Sequence, residues 1–394
     1  MNKLNFTKGV SLIELMVAVT ISSVLLLGVG TVYTSSKRGY VVQEEFSTLQ
    51  ENARVAMKFL VSDIRMAGFV GCAWNNDLNY ENFLQSTGNA SDDAFLGQFN
   101  IGVEGFEATN SGPGAATIDL AGPAAGWDRP LPNVITLETP SPGSDVLLVR
   151  RARGSGIKLT ENKNSANFKI SNQGVPFGAG PCHAPTGICQ TDILMVSDCT
   201  KSRLFQGSQI QDNPGELRIV HQAAGTPGNA PPVSWGGNSD ANHHFEAGDA
   251  EIFKASAFAY YVDTGASGEP ALFRLDASPG SQREELVEGV ESMQVLFGID
   301  TDKANATDIT FDGIANQYLP ADLVNFANDN IVSARISLLV RSRQIKETAI
   351  IPPNPYKLGG TTAASSTRVT TSVADRRLRK VFTITIKIRN KGLT

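Results

Sequence analysis

Histidine is scarce in this chain: His183, His221, His243 and His244 are the four present among 394 residues. None of them sits in a nucleophile or metal motif, so no constellation for acid–base or nucleophilic catalysis is on offer, and the chain reads as a non-enzyme with no cofactor. An excess of positive charge is missing too. A net charge of -5, with Lys plus Arg at 34, argues against a protein whose main task is gripping nucleic acid. Charge is nearly absent from one stretch, because from Val10 to Tyr33 the sole charged residue is Glu14, and no proline interrupts the run. At ~1.5 Å per residue such a segment spans a bilayer as one helix. A carboxylate inside it costs a few kcal/mol on insertion scales and is read as functional.

An ordinary secretory signal puts its apolar core before the cleavage site and is discarded. Here the order is inverted: the polar leader Met1 to Gly9, carrying Lys3 and Lys8, precedes the apolar run. Gly9, with no side chain, is the natural cut point, and a cut there leaves the helix on the mature chain. The stretch Lys8-Gly9-Val10-Ser11-Leu12-Ile13-Glu14-Leu15 resembles the class III leader of type IV prepilins and type II secretion pseudopilins. That resemblance implies a prepilin peptidase that cleaves after Gly9 and methylates the new amine of Val10, so that Glu14 becomes the fifth mature residue. A carboxylate in hydrocarbon needs a partner. The resemblance implies the terminal amine of the neighbouring subunit, which makes Glu14 the assembly residue that sets axial register. The bland alternative is a signal anchor with a tolerated Glu.

The helical pattern continues past Tyr33. Phe46, Leu49, Ala53, Met57, Leu60, Ile64 and Ala67 recur at steps of three and four, an amphipathic stripe that ends at the helix stop Gly68. A helix from Val10 to Ala67 would run ~85 to 90 Å. Gly28, Gly30 and Gly39 weaken it where membrane gives way to solvent, either to let it stretch or to let helices pack closely. The reading divides the chain into leader 1–9, membrane and assembly half 10–33, amphipathic half 34–70 and a periplasmic β-rich headgroup 71–394 in one elongated domain.

All four cysteines, Cys72, Cys182, Cys189 and Cys199, follow the membrane run, an even count that suits an oxidising periplasm and two disulfides. Three connectivities remain open. A small loop around Pro185 and Gly187 favours Cys182 with Cys189, leaving Cys72 for Cys199. A zinc site at Cys182 and His183 competes, but its spacing is wrong for paired knuckles, and no metal is expected.

After Gly71, short apolar runs alternate with Gly, Pro, Asn, Asp and Ser, the pattern of antiparallel strands. The candidates are 144–151, 192–196, 217–220, 252–262, 271–275, 286–299, 335–343 and 381–389. In the last two, Ile336, Leu338 and Val340, then Phe382, Ile384, Ile386 and Ile388, alternate with other residues to give an apolar face. That face must lie on the helix stripe, which predicts an α+β fold with a long spine helix packed on an antiparallel sheet. Pro352 to Pro355 and the tract Gly359 to Thr371 read as an exposed, mobile loop.

Gly68 to Cys72, Ser197-Asp198-Cys199 before Leu204-Phe205-Gln206, Val287 to Glu291 leading to Gly298-Ile299-Asp300, and Arg376 to Phe382 ending in Ile388-Arg389-Asn390 are together similar to PilW-type minor pilins. The resemblance implies a type IV pilin-like fold and a minor subunit that helps start pilus assembly. It places the chain in the inner membrane with a periplasmic headgroup, and then at the pilus, near its tip. The implied partners are other minor pilins, the major pilin, the peptidase, the inner-membrane assembly platform and the bilayer, with no nucleic acid. A mass of 42.0 kDa is bulky for a subunit that repeats along a fibre. A J-like pseudopilin of type II secretion and a tip adhesion module, built on the loops 75–142 and 207–248, are the alternatives.

Three other patterns read as surface. The pair His243-His244 could bind a metal, but adjacent residues on a strand face opposite ways, so it reads as a loop pair without a ligand role. The stretch from Asp300 to Asp308 has oxygen ligands but lacks the glycine and closing Glu of a calcium loop, so it reads as a solvated turn. Arg376, Arg377, Arg379 and Lys380 read as a solvated strand entry, with acidic subunit surfaces or lipid headgroups as the sharper option.

Overall fold

The spine helix α1 (Leu12–Arg65, 54 residues) begins at Ser11, whose side chain caps it, and has no proline to break it. A computed structural model describes residues 9–72, 79–120, 122, 126–162, 167–178, 180–223, 225–230, 243–278, 283–302, 312–345, 350–352, 354–360, 365–371 and 374–390. The leader Met1 to Lys8 lies outside them. At the standard rise α1 is ~80 Å long and passes unbroken through Gly28, Gly30 and Gly39. It is two residues shorter at each end than the pattern predicts, because Ser11 and Met66 serve as caps. Just beyond it, Gly71 turns at φ +97°, where a Cβ would meet the Phe253 ring at 2.8 Å.

Behind the helix come β1 (Asn79–Asn82), α2 (Ala90–Gly97), β2 (Val103–Phe106), β3 (Ile118–Asp119), α3 (Asn133–Thr136), β4 (Val146–Lys158) and β5 (Asn167–Ser171). Then follow β6 (Ile193–Ser197), β7 (Lys201–Gln206), β8 (Gln209–Asn213), β9 (Glu216–Val220), β10 (Glu251–Thr264), β11 (Pro270–Asp276) and β12 (Arg283–Glu288). The last are β13 (Val290–Ile299), β14 (Gln317–Leu319), β15 (Ile331–Arg341), β16 (Tyr356–Leu358), β17 (Thr367–Thr370) and β18 (Arg379–Lys387).

Two sheets carry the core. An eight-stranded sheet runs β1-β7-β6-β10-β11-β12, with β4 along the opposite edge of β10 and β2 beside β4. A four-stranded antiparallel sheet, β14-β13-β15-β18, holds the C-terminal strands. The smaller sheets are β16-β17-β3 and β5-β9-β8. Antiparallel pairing dominates, and β1 with β7 and β17 with β3 are parallel.

Leu49, Ala53, Ala56, Leu60 and Ile64 of α1 are buried with Ile336, Leu338 and Val340 of β15 and with Ile386 of β18, and Phe382 and Ile384 pack against the same cluster. Each large aliphatic side chain taken from water there contributes about 1.5 to 3 kcal/mol. The stripe differs from the predicted one at two positions. Ala56 occupies the seam and Met57 flanks it, while Phe46 stays 38% exposed.

Two further expectations are corrected. The run 286–299 is two strands, split where Gly289 turns at φ +90°. Leu339, on the face of β15 opposite Ile336, Leu338 and Val340, is also fully buried, with Leu358 and Val369 of the β16-β17-β3 sheet. The tract Gly359 to Thr371 therefore contains β17, a covering strand, in place of the mobile loop; Pro353 and residues 361–364 of that region lie outside the described residues.

Candidate assembly surface

The spine has two halves with different surroundings. From Val10 to Tyr33 its large apolar side chains are open, with Leu12 at 77% and Leu26 at 72% exposure, and no part of the apolar window is buried by the rest of the chain. Three hydroxyls in this half turn back on the helix: Thr20 donates to Val17 O at 2.9 Å, Ser23 to Val19 O at 2.7 Å and Thr31 to Gly28 O at 2.8 Å.

Glu14 itself closes a capping box. Its Oε2 accepts from the Ser11 amide at 2.9 Å, and Ser11 Oγ accepts from the Ile13 amide at 3.3 Å. Within a single chain the carboxylate therefore has a partner at the positive end of its own helix. The Ser-x-x-Glu spacing was available in the sequence as the signal for this arrangement. Gly9 and Val10 precede the cap and are exposed.

The second half is welded to the headgroup. Asp63, 2% exposed in the middle of the apolar seam, accepts from Arg151 Nη2 at 2.7 Å, from Arg274 Nη1 at 3.4 Å and from the Tyr260 hydroxyl. Burial, then the Asp63 charge, pushes the Tyr260 phenol well above its ordinary range, so it stays a donor. Asn52 Nδ2 donates to Glu288 O at 3.1 Å, Arg389 N to Arg65 O at 3.1 Å and Asn390 Nδ2 to Ala67 O at 3.2 Å. Just past the helix a disulfide joins Cys72 to Cys199 in the turn between β6 and β7, and a second joins Cys182 to Cys189.

Arg377 and Arg379 are half-buried in ion pairs, which corrects the solvated reading for these two, while Lys380 is exposed. Arg377 holds Glu269 with both Nη atoms at 2.8 Å, and Arg341 Nη2 reaches the same carboxylate at 2.6 Å. Arg379, whose side chain is 4% exposed, holds Glu291 at 2.7 Å and Asp375 at 2.6 Å. Burial works to raise Glu269 and Asp375, and the guanidiniums beside them outweigh it and hold both carboxyls below the usual range. Glu269 belongs to the turn between β10 and β11, so this network ties the eight-stranded sheet to the four-stranded one. Lys380 lies 5.0 Å from the Phe46 ring of the spine and 5.4 Å from that of Phe382.

Other titratable clusters serve the same joint or stand apart. Glu107 and Asp145 are buried and share the Ser111 hydroxyl, which donates to Glu107 Oε1 at 2.5 Å and to Asp145 Oδ1 at 3.3 Å. Asp145 accepts the Val295 amide at 2.8 Å, and Glu107 the Ala321 amide at 3.1 Å. Burial, then the charge of Asp145, raises the Glu107 carboxyl far above the ordinary range. Carboxylate oxygens of Asp300, Asp302 and Asp312 lie within 4.8 Å of one another. They also cap their own turns: Asp300 accepts the Asp302 and Gly313 amides, and Asp312 the Ile314 amide. Asp312 falls beyond the Asp300 to Asp308 stretch, of which Lys303 to Asp308 lie outside the described residues.

His183 sits between Thr186 Oγ1 at 2.9 Å and Val175 O at 2.8 Å, while both neighbouring cysteines are spent in the disulfide. His243 Nε2 lies 2.8 Å from Glu81 Oε2.

Two family models match the chain. The type IV pilus-assembly protein W model covers residues 259–390, which hold β11 to β18 and the whole Glu269, Glu291, Arg341, Asp375, Arg377 and Arg379 network. The prokaryotic N-terminal methylation motif covers residues 4–30. No curated protein and no solved structure matches. Together with the long apolar helix on antiparallel sheets, these matches support membrane anchoring through the N-terminal helix and a structural subunit.

Proposed function

We propose that this chain is a PilW-type type IV minor pilin that helps to initiate pilus assembly, entering a priming complex from the inner membrane. Its headgroup stands in the periplasm before assembly and at or near the pilus tip afterwards. Peptidase cleavage after Gly9 and methylation of Val10 free the spine, and Val10 to Tyr33 exchange lipid for the spines of other minor pilins and the major pilin. Glu14 exchanges the Ser11 amide for the terminal amine of a neighbour, so one contact is released as the other forms.

The observation that carries this reading is the split of one unbroken helix into an exposed apolar half and a half fastened to the headgroup through Asp63. Extraction from the membrane then draws the headgroup with it. The test is deletion of the gene in its own host, scored for surface pili and for secretion, together with identification of the proteins that co-purify with the membrane-extracted chain. Loss of pili with other minor pilins recovered is the expected result. Intact pili with lost secretion would instead assign the chain to a type II secretion pseudopilus.

A further inference from the structure

β18 is the last strand of the four-stranded sheet and pairs there with β15 alone. Its register runs from Ser333 with Lys387 to Arg341 with Arg379 without a shift. At the two ends of that ladder, Ile388 N donates to Val332 O at 2.9 Å and Ser342 N to Leu378 O at 2.8 Å. Bonded and non-bonded pairs alternate along an antiparallel ladder, and both end bonds fix the same phase. The backbones of Lys380, Phe382, Ile384 and Ile386 therefore face β15, while those of Arg379, Val381, Thr383, Thr385 and Lys387 point outward. Among the described residues, no hydrogen bond reaches the outward amides or carbonyls of Val381, Thr383 and Thr385. Thr383, Thr385 and Lys387 are exposed.

From Val381 to Ile386 every residue is β-branched or aromatic, with no charge, proline or glycine. Such a window on an open edge recruits other strands, and proteins shield it with bulges, prolines or inward charges. β18 has none of these, and exposed Lys380 and Lys387 stand at its two ends. Val381, Phe382 and Ile384 are half-buried, so one more strand would complete their cover.

A second β18 does not suit this edge. Antiparallel pairing of two copies would run their spines in opposite directions, which insertion in one membrane forbids. Parallel pairing in register would set Lys380 beside Lys380 and Lys387 beside Lys387. We propose that the outward edge of β18 takes an extended segment from the headgroup of another minor pilin, added as a strand, with carboxylates of that segment facing Lys380 and Lys387. Main-chain bonds to Val381, Thr383 and Thr385 hold the segment, and the lysines select an acidic one over a copy of this chain. The class of partner comes from the proposed function, on which the inference rests.

The test compares residue-resolved hydrogen exchange of the full-length chain alone in detergent with that of the same chain in the complex that co-purifies with it from its host membrane. The amides of Val381, Thr383 and Thr385 are expected to exchange quickly in the chain alone and at least about tenfold more slowly in the complex, whereas those of Phe382, Ile384 and Ile386 are slow in both. Thr385→Pro removes one outward amide and should reduce recovery of the other minor pilin severalfold; Thr385→Ala, which keeps the amide, should not. Lys380→Glu combined with Lys387→Glu should reduce recovery likewise. Outward amides already slow in the chain alone would mean that its own chain covers the edge. Outward amides that stay fast in a complex containing another minor pilin would place the contact elsewhere, and a complex holding only copies of this chain would name the wrong occupant. Each of these three results overturns the proposal while the parent reading is judged by its own test. If no pilin co-purifies at all, the priming-complex reading falls and the strand addition falls with it.

Discussion

Asp63 on the spine helix accepts a 2.7 Å hydrogen bond from Arg151 Nη2 on β4, and its side chain is 3% exposed. A charge placed in an apolar seam lets the helix dock in one position, since sliding by a turn would strand both ions. Replacing Asp63 by Ala leaves two guanidiniums facing it without their carboxylate, and about 3 kcal/mol of stability should go with it. The paired change Asp63→Leu with Arg151→Met should cost distinctly less. Urea unfolding of the three proteins checks this, and equal losses for the single and double variants would refute the pairing account.

The two disulfides should differ in weight. Cys72 and Cys199 are 127 residues apart, whereas Cys182 and Cys189 are 7 apart. On the loop-entropy account the first bond contributes up to about 5 kcal/mol and the second about 2 to 3 kcal/mol. Double Cys→Ser variants of each pair, compared by thermal unfolding, should show the larger drop for the Cys72 pair. The reverse order would mean that the unfolded chain is already constrained near the spine.

The buried Glu107 predicts a pH dependence of opposite sign to the usual carboxylate. Its folded carboxyl titrates above the ordinary 4.5, through burial first and Asp145 second. Its stabilising share is therefore complete below the ordinary Glu range and is lost as pH rises from there through neutrality. Glu269 and Asp375 are held low and stay ionised across that window. Glu107→Gln, which keeps a neutral side chain, should gain on the order of 1 to 2 kcal/mol over the parent at pH 8 relative to pH 5. A constant difference between the two pH values would show that Glu107 does not titrate there.

Much of the spine was legible because helices advertise themselves through local periodicity, and the Leu49 to Ile64 seam recurs at steps of three and four. The C-terminal strands were legible for the same reason: Phe382, Ile384 and Ile386 alternate. What local pattern does not carry is which faces are covered twice. Leu339 lies on the face of β15 opposite Ile336 and Leu338, and it is covered by β16 and β17, strands of three and four residues, too short to show a pattern. The pairing of the arginine cluster is not legible locally, because Glu269 and Glu291 lie about a hundred residues upstream, and only the fold brings them together. Asp63 carried a signal that went unused, an acid set one place before Ile64 on an apolar seam. Ser11 carried another, three residues ahead of Glu14.

The assembly residues give the last prediction. Gly9→Leu should block cleavage, leaving a product that still begins at Met1, whereas Glu14→Ala should be processed and yet enter pili at least about tenfold less often. Because Glu14 also closes the capping box through the Ser11 amide, part of that loss has a local origin: removing the carboxylate frees an amide at the helix start. Glu14→Gln separates the two effects, since its side-chain carbonyl still accepts from Ser11 while offering a neighbour's amine no charge. If charge pairing between subunits drives incorporation, Gln should behave like Ala. If capping alone matters, Gln should behave like Glu. N-terminal sequencing of the membrane fraction and immunoblotting of sheared pili read both steps, and normal incorporation of Glu14→Gln would remove the charge-exchange step from the mechanism.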